Sequence, residues 1–287
     1  MSNLGSRIRR AALSAICLQL LTSVAVAQTR PDLVSRDRLR VCASPSNLPF
    51  SNKAKQGFEN KIAEIVAEEL KLPLHYFWMP DGPGFVRNTL MEDLCDVIIG
   101  YAAESDFVDH SNPYYASTYV LVTRKGGPLD GIEHLDDPRL KDAKLGVIAA
   151  TPPVDHLLAL GLLDHAKSYS LVVDRRFASP AEDALHDLAA GEIDAAILWG
   201  PIGGYFAKQA STPLSVTPLK TDQRPRFVYR IAFGLRHGET DWKHALNEVI
   251  TKRQKDIDAI LTSYGVPLAP IEPAPIDVQH PSRHGPQ

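Results

Sequence analysis

Alternating strand and helix signals between Leu39 and Gly100 restrict this chain to a small set of folds. LRVCASPSNLPFSN (39–52) reads as a short apolar strand followed by a polar loop that ends in Pro49-Phe50. GFENKIAEIVAEELKLPLHYFW (57–78) gives a turn, an amphipathic helix and a second strand, and CDVIIG (95–100) gives a third. Parallel strands joined by a crossover helix end at a common sheet edge, and ligand clefts form outside that edge. Residues just past the strand ends are therefore where function is expected.

The rest of the chain continues the pattern. Pro80-Asp81-Gly82-Pro83-Gly84 is a turn cluster expected to launch a helix over 85–94, and 117–123 is β-rich. A second alternating series follows: a strand at 145–149, a helix at 154–163 entered through Thr151-Pro152-Pro153, and a strand at 171–173. A helix at 180–190 has Ser179 as N-cap and Gly191 as its stop, and a buried strand runs over 193–199. Strands at 214–219 and 227–235 precede a long helix at 242–264, ended by Gly265 and Pro267. The chain leaves the first series near Thr123 and returns near Phe227. This predicts an α/β fold of two lobes, each on a mixed, mostly parallel sheet, joined by a two-strand hinge able to close on something between them. Lobe 1 is expected to comprise 36–123 and 228–268, lobe 2 124–227, and 269–287 a Pro-rich loose tail.

Residues 1–27 read as a cleavable export signal: Arg7, Arg9 and Arg10, then an apolar run from Ala11 to Val24, then Ala25-Val26-Ala27. The run is too short and too interrupted to favour a permanent membrane span, so a periplasmic protein without membrane insertion is expected. Three of the 31 Lys+Arg fall in this segment and none of the 34 Asp+Glu, so the formal charge of −3 becomes −6 without it. That balance, with no basic stripe between aromatics, argues against nucleic acid as a partner. Cys17 lies in the signal, which leaves Cys42 and Cys95 in the mature part, each flanking an apolar strand. If those strands are neighbours, a disulfide would close a loop of about 54 residues and contribute on the order of 4 kcal/mol. Two buried free thiols remain the other reading. Two cysteines without paired histidines lack metal-ligand spacing, so neither metal nor cofactor is expected.

These segments resemble the type II periplasmic solute-binding proteins. LRVCASPSNLPFSN, GFENKIAEIVAEEL, GFVRNTL, CDVIIG, PYYASTYV, ATPPVDHLL, GEIDAAILWGPIGGYFA and IDAILTSYGVPL are similar to a narrower group, the substrate-binding proteins associated with quinoprotein dehydrogenases (MoxJ/XoxJ-like components of methanol-oxidation systems). The resemblance covers about Leu39 to Leu268. It implies a role beside a PQQ-dependent alcohol dehydrogenase and its c-type cytochrome, assisting the enzyme rather than feeding a transporter.

It also implies a departure from the amino-acid-binding parent pattern. There, an Arg shortly after the strand matching CDVIIG clamps the ligand carboxylate; here the region reads YAAESDFVDH, with Glu104, Asp106 and Asp109. The parent's Asp at the end of the second-lobe strand, which holds the ligand ammonium, is Trp199 here. Aromatic residues remain at the expected cleft edge: Phe50, Phe85, Tyr101, Tyr114, Tyr115 and Trp199, each with ordinary core packing as the competing role. Phe50 and Trp199 match cleft-facing positions in the relatives, and an apolar-walled cleft suits a flat ligand or a partner's side chain. Arg87, expected in the first turn of the 85–94 helix, opposes the helix dipole there and suits an anion or an acid across the cleft. Thr151 opens a second-lobe helix where N–H groups favour anions, although Pro152 and Pro153 each remove a donor.

Catalysis has little support. Gly-x-Ser-x-Gly, His-Glu-x-x-His, phosphate-loop and haem-attachment motifs are missing from the sequence, and His156 and His165 are expected on helix surfaces. Three readings stand: an accessory protein of the dehydrogenase, a solute receptor for a small non-amino-acid ligand, and an enzyme using Glu104 or Asp106 as general base.

Overall fold

The computed structural model describes residues 34–271; the expected signal segment at 1–27 and the tail from 272 lie outside the described residues. Chain order begins with β1 (Leu39–Ala43), the short hairpin of β2 (Ser46–Asn47) and β3 (Ser51–Asn52), and α1 (Phe58–Leu70). β4 (Leu74–Trp78), β5 (Val97–Ala102), β6 (Asp109–His110) and β7 (Tyr115–Ser117) follow. The second series is β8 (Tyr119–Arg124), β9 (Leu145–Ile148), α2 (Pro152–Ala159), β10 (Lys167–Tyr169), α3 (Pro180–Ala190), β11 (Ala195–Trp199), α4 (Gly200–Gln209) and β12 (Leu214–Pro218). The chain ends with β13 (Tyr229–Leu235), α5 (Thr240–Ser263) and β14 (Leu268–Ala269).

Two sheets carry the two lobes. The first has the order β14-β7-β13-β5-β1-β4, with β6 also pairing β13; the second is β10-β9-β11-β8-β12. Parallel ladders join β1 to β4 and β5, and β9 to β10 and β11. The ladders of β13 and β8 are antiparallel, because these strands bring the chain back from the opposite direction after it crosses between lobes. β8 lies between β11 and β12 in this second sheet, so its residues 119–123, expected in lobe 1, belong with lobe 2; the crossing falls at Thr118. Ala269, expected to begin the loose tail, pairs with Ala116 in β14.

Burial follows the hydrophobic pattern. The apolar stripe of α1 (Phe58, Ile62, Ile65, Val66) and that of α5 (Trp242, Leu246, Val249, Ile257, Leu261) cover the first sheet in one cluster. The second sheet is covered on both faces, by α2 with the loops around Ile132 and Leu140 on one side and by α3 and α4 on the other. Burial on both faces explains the uninterrupted apolar run Ala195–Leu198 in β11. α3 stops at Gly191, whose φ of +78° suits the left-handed cap. Ser179 precedes α3 but makes no side-chain capping bond.

Three local expectations are overturned. Residues 85–94 form irregular turns and a single 3-10 turn at Leu90–Glu92 rather than a helix. Thr89 Oγ1 donates to Phe85 O at 2.6 Å, and Asp93 takes a left-handed conformation, both of which divert the backbone from a helical ladder. The strand expected at 171–173 lies instead at 167–169, beside β9; Leu171 and Val172 are exposed loop residues. His156 is buried: its Nε2 hydrogen bonds Pro225 O at 2.7 Å and its ring lies 4.5 Å from that of Phe227.

Cys42 and Cys95 form a disulfide with Cα atoms 5.5 Å apart. It ties β1 to the segment entering β5, its own neighbour in the sheet. Arg236, nearly buried, fixes the same segment by donating to the Cys95 and Leu90 carbonyls and pairing with Asp96 at 3.2 Å. Hydrogen bonds to carbonyls and carboxylates together satisfy a guanidinium that would be costly to bury alone.

The lobes also meet behind the hinge. A Cβ on Gly204 of α4 would lie 1.9 Å from Gly265 O, so only glycine lets these backbones approach. Tyr205 and Tyr264 stack at 5.8 Å, and Lys208 Nζ donates to Ser263 O at 2.7 Å.

Candidate functional site

The strand ends of both sheets open on one cleft of about 870 Å3. That volume is within the range of small-molecule sites. Its walls come from the loops after β1, β4 and β5 on one side and from those after β9, β10 and β11 on the other.

The structure brings together seven of the eight cleft residues expected from sequence: Phe50, Phe85, Arg87, Tyr101, Tyr115, Thr151 and Trp199. Phe50 leads the hairpin into α1, its ring 5.3 Å from Phe58. Trp199 ends β11, its indole 5.4 Å from Tyr119 and 5.8 Å from Tyr229, so three aromatic rings gather where the strands cross. Tyr101 is held by Ser105, whose Oγ accepts from the phenol at 2.8 Å. Thr151 Oγ1 turns back to donate to Ile148 O at 2.6 Å, and prolines occupy the first two positions of α2, so this helix start offers little to an anion.

Glu104 is the eighth, and it is not among the cleft-lining residues. Its Oε1 accepts from Arg230 Nε at 2.9 Å and from Arg230 N at 3.2 Å. The turn after β5 carries it sideways to β13, where Ala103 N also bonds Arg230 O at 2.9 Å. These bonds hold the carboxylate on β13, away from the cleft lining. Tyr114 is core: it is fully buried, its hydroxyl donates to Ile99 O at 3.0 Å, and its ring lies 4.7 Å from Phe233.

The residue that sequence reasoning missed is Glu59. It lies in the first turn of α1, lines the cleft, and rests its carboxyl over Gly100, where a Cβ would stand 1.9 Å from Oε1. Asn60 beside it points inward, accepting from Gly57 N at 3.2 Å and Asn52 N at 3.1 Å to cap the helix. Burial, with the negative charge of Asp81 adding to it, raises the Glu59 pKa to about 8. Near pH 7 the carboxyl is therefore mostly protonated and able to donate a hydrogen bond. The signal available in the sequence was its position: an acid between Phe58 and Asn60, both buried, at the cleft end of a helix. Asp81, Phe107, Arg175, Tyr119 and Tyr229 complete features of the lining that the sequence reading did not assign.

Burial also holds the phenol of Tyr115 well above its ordinary pKa. The deep cleft thus presents neutral hydroxyl and carboxyl donors on aromatic walls. A nucleophile–base pair does not occur among these contacts, and no cluster of three His, Cys, Asp or Glu suited to a metal ion occurs among the described residues. The described residues also contain no helix long and apolar enough to cross a membrane.

Comparison with known proteins agrees with this architecture. The family model for bacterial extracellular solute-binding proteins, family 3, matches residues 39–267. MoxJ of Methylorubrum extorquens is 32% identical over 268 residues, covering 87% of this chain and 87% of MoxJ. The crystal structure of the periplasmic binding protein XoxJ from Methylobacterium extorquens AM1 superimposes with a TM-score of 0.70 at 46% identity, covering 81% of this chain and 99% of XoxJ. MxaJ from Methlophaga aminisulfidivorans MPT gives a TM-score of 0.72 at 25% identity, covering 80% of this chain and 100% of MxaJ. An ancestral arginine-binding protein bound to arginine, 22% identical with a TM-score of 0.55, shares the fold. This chain belongs to the bacterial extracellular solute-binding proteins of family 3 and, within that two-lobed fold, is a homologue of MoxJ and XoxJ.

Proposed function

We propose that the protein is a periplasmic accessory factor of a PQQ-dependent alcohol dehydrogenase, acting by protein–protein binding through its cleft face and not as an enzyme. The observation that carries this reading is the cleft itself. Trp199 stands where the parent pattern keeps an acid, and the segment after β5 offers Glu104, already paired, where that pattern keeps an arginine. A free amino acid would meet neither of its two charged anchors. Aromatic walls with neutral donors instead suit an apolar side chain and its backbone. Homology to MoxJ and XoxJ supports placing that partner in a methanol- or alcohol-oxidising system, its c-type cytochrome included. The signal segment at 1–27 supports export to the periplasm.

The test is direct titration of the purified mature protein against the purified quinoprotein dehydrogenase of the same organism, followed by analytical ultracentrifugation. A complex is expected; its absence at micromolar concentrations of both proteins would overturn the reading.

A second reading is a transporter receptor for a small non-amino-acid solute, favoured by a cleft of about 870 Å3. Thermal-shift screening with small alcohols and aromatic compounds separates the two, since a ligand at 100 times its Kd adds roughly 2.7 kcal/mol.

A further inference from the structure

The mouth of the cleft carries one arginine on each lip. Arg87 belongs to lobe 1, in the turns after β4, and Arg175 to lobe 2, between β10 and α3; both line the cleft. Neither engages a carboxylate among the described residues. Arg87 is exposed, its guanidinium 5.9 Å from the centre of the Phe107 ring. By contrast, the neighbouring Arg176 is held by Asp174 at 2.6 Å. Free guanidinium groups favour bidentate contact with carboxylates.

Phe107, under the Arg87 guanidinium, and Leu171, four positions before Arg175, line the cleft and stay partly exposed, and Val172 beside Leu171 is more exposed still. Phe107 is 45% exposed on one lip; Leu171 and Val172 are 40% and 70% exposed on the other. A small solute deep in the cleft would leave Val172 and much of this rim wet. A protein loop entering the cleft would cover them.

We propose that the cleft mouth is a docking surface for an acidic, apolar-bearing loop of a protein partner, with carboxylates on Arg87 and Arg175 and an aromatic or aliphatic side chain between Phe50 and Trp199. The assignment rests on the docking reading above and names the chemistry of its partner. The protonated Glu59 carboxyl supports it from the cleft floor, since it is placed to donate to a backbone carbonyl of the inserted loop. Asp81 also lines the cleft, where its Oδ2 accepts from Asn47 at 3.1 Å; it disfavours a carboxylate driven deep and so keeps the acids of the loop at the lips.

The experiment selects a random 12-residue peptide library on the immobilised protein, then measures the enriched peptides by fluorescence anisotropy against wild type, Arg87→Glu/Arg175→Glu and Arg87→Lys/Arg175→Lys. Circular dichroism and thermal melts verify that both variants fold. Enriched peptides are expected to hold two or more acids flanking an aromatic residue or leucine. Their affinity should fall at least tenfold in the Glu variant, fall less in the Lys variant, and weaken with salt. Enrichment of neutral or basic peptides, no enrichment, or equal binding to the Glu variant would overturn the inference. Titrating the purified dehydrogenase in parallel separates the two proposals. Dehydrogenase binding that survives charge reversal overturns the loop assignment and leaves the docking reading; acidic peptides selected without any dehydrogenase binding do the reverse.

Discussion

Replacing Glu59 by Gln should stabilise the protein at alkaline pH and leave it unchanged in acid. Desolvation of the half-buried carboxyl over Gly100, with no hydrogen-bond partner among the described residues, raises its pKa from the ordinary 4.5 to about 8. Between those values the folded chain keeps a proton that the unfolded chain releases. Stability from this group is therefore full below about pH 4.5 and falls by about 1.4 kcal/mol per pH unit as the pH rises. It is lost by about pH 8, for a ceiling of about 5 kcal/mol. Water reaching the carboxyl through the cleft lowers that ceiling. The N-terminal dipole of α1 favours the anion by only about 0.3–1 kcal/mol, so burial wins. Glutamine has the same shape and no charge at any pH. Urea denaturation of wild type and Glu59→Gln at pH 4, 6 and 8.5 should give coincident curves in acid and a more stable variant in base, by about 1–3 kcal/mol once solvent screening in the cleft is discounted. Other titrating groups are shared and cancel in the difference. Parallel profiles across the whole range would refute the reasoning, as would a variant less stable at pH 8.5.

Three further outcomes are expected. Cys95→Ala, or reduction of the oxidised protein, removes a closure spanning 53 positions and should cost about 4 kcal/mol; at about 2–4 °C per kcal/mol for a chain of this size, calorimetry should show a Tm lower by about 8–16 °C. Gly204→Ala drives a Cβ to 1.9 Å from Gly265 O and should cost about 1–3 kcal/mol in a urea titration, whereas an unchanged midpoint would mean that α4 and the Gly265 turn separate freely. Calorimetry with arginine, glutamine and other common L-amino acids should register no binding, and a micromolar signal from any of them would overturn the argument from Trp199 and Glu104.

Much of the cleft was legible because strand ends announce themselves. Phe50, Tyr101, Tyr115 and Trp199 each follow or end an apolar run, and in a two-lobed α/β fold such positions converge on one edge. Glu104 failed the same test because a turn after a strand has no fixed heading: this one carries it to Arg230, a partner 126 positions away. The 85–94 segment failed because its helical periodicity competes with a threonine-to-backbone bond and with anchoring at both ends, by Gly84 and by the Cys42–Cys95 bridge. Glu59 was overlooked because charge in an amphipathic helix normally means solvent; only the missing side chain of Gly100, on a different element, makes room for a buried carboxyl there.

By itself, the sequence determined the two alternating series, the helices α1, α3 and α5, and the placement of Cys42 and Cys95 beside apolar strands. These follow from local periodicity, caps and residue chemistry, which act over a few positions and survive without knowledge of neighbours. Tertiary structure alone decided that β8 joins the second sheet, that His156 is buried beside Phe227, and that Arg87 and Arg175 line one cleft. It also decided that burial raises the pKa of Glu59. Each of these depends on which distant backbone lies alongside, and pairing register and dielectric surroundings are properties of the packed chain that no local window contains.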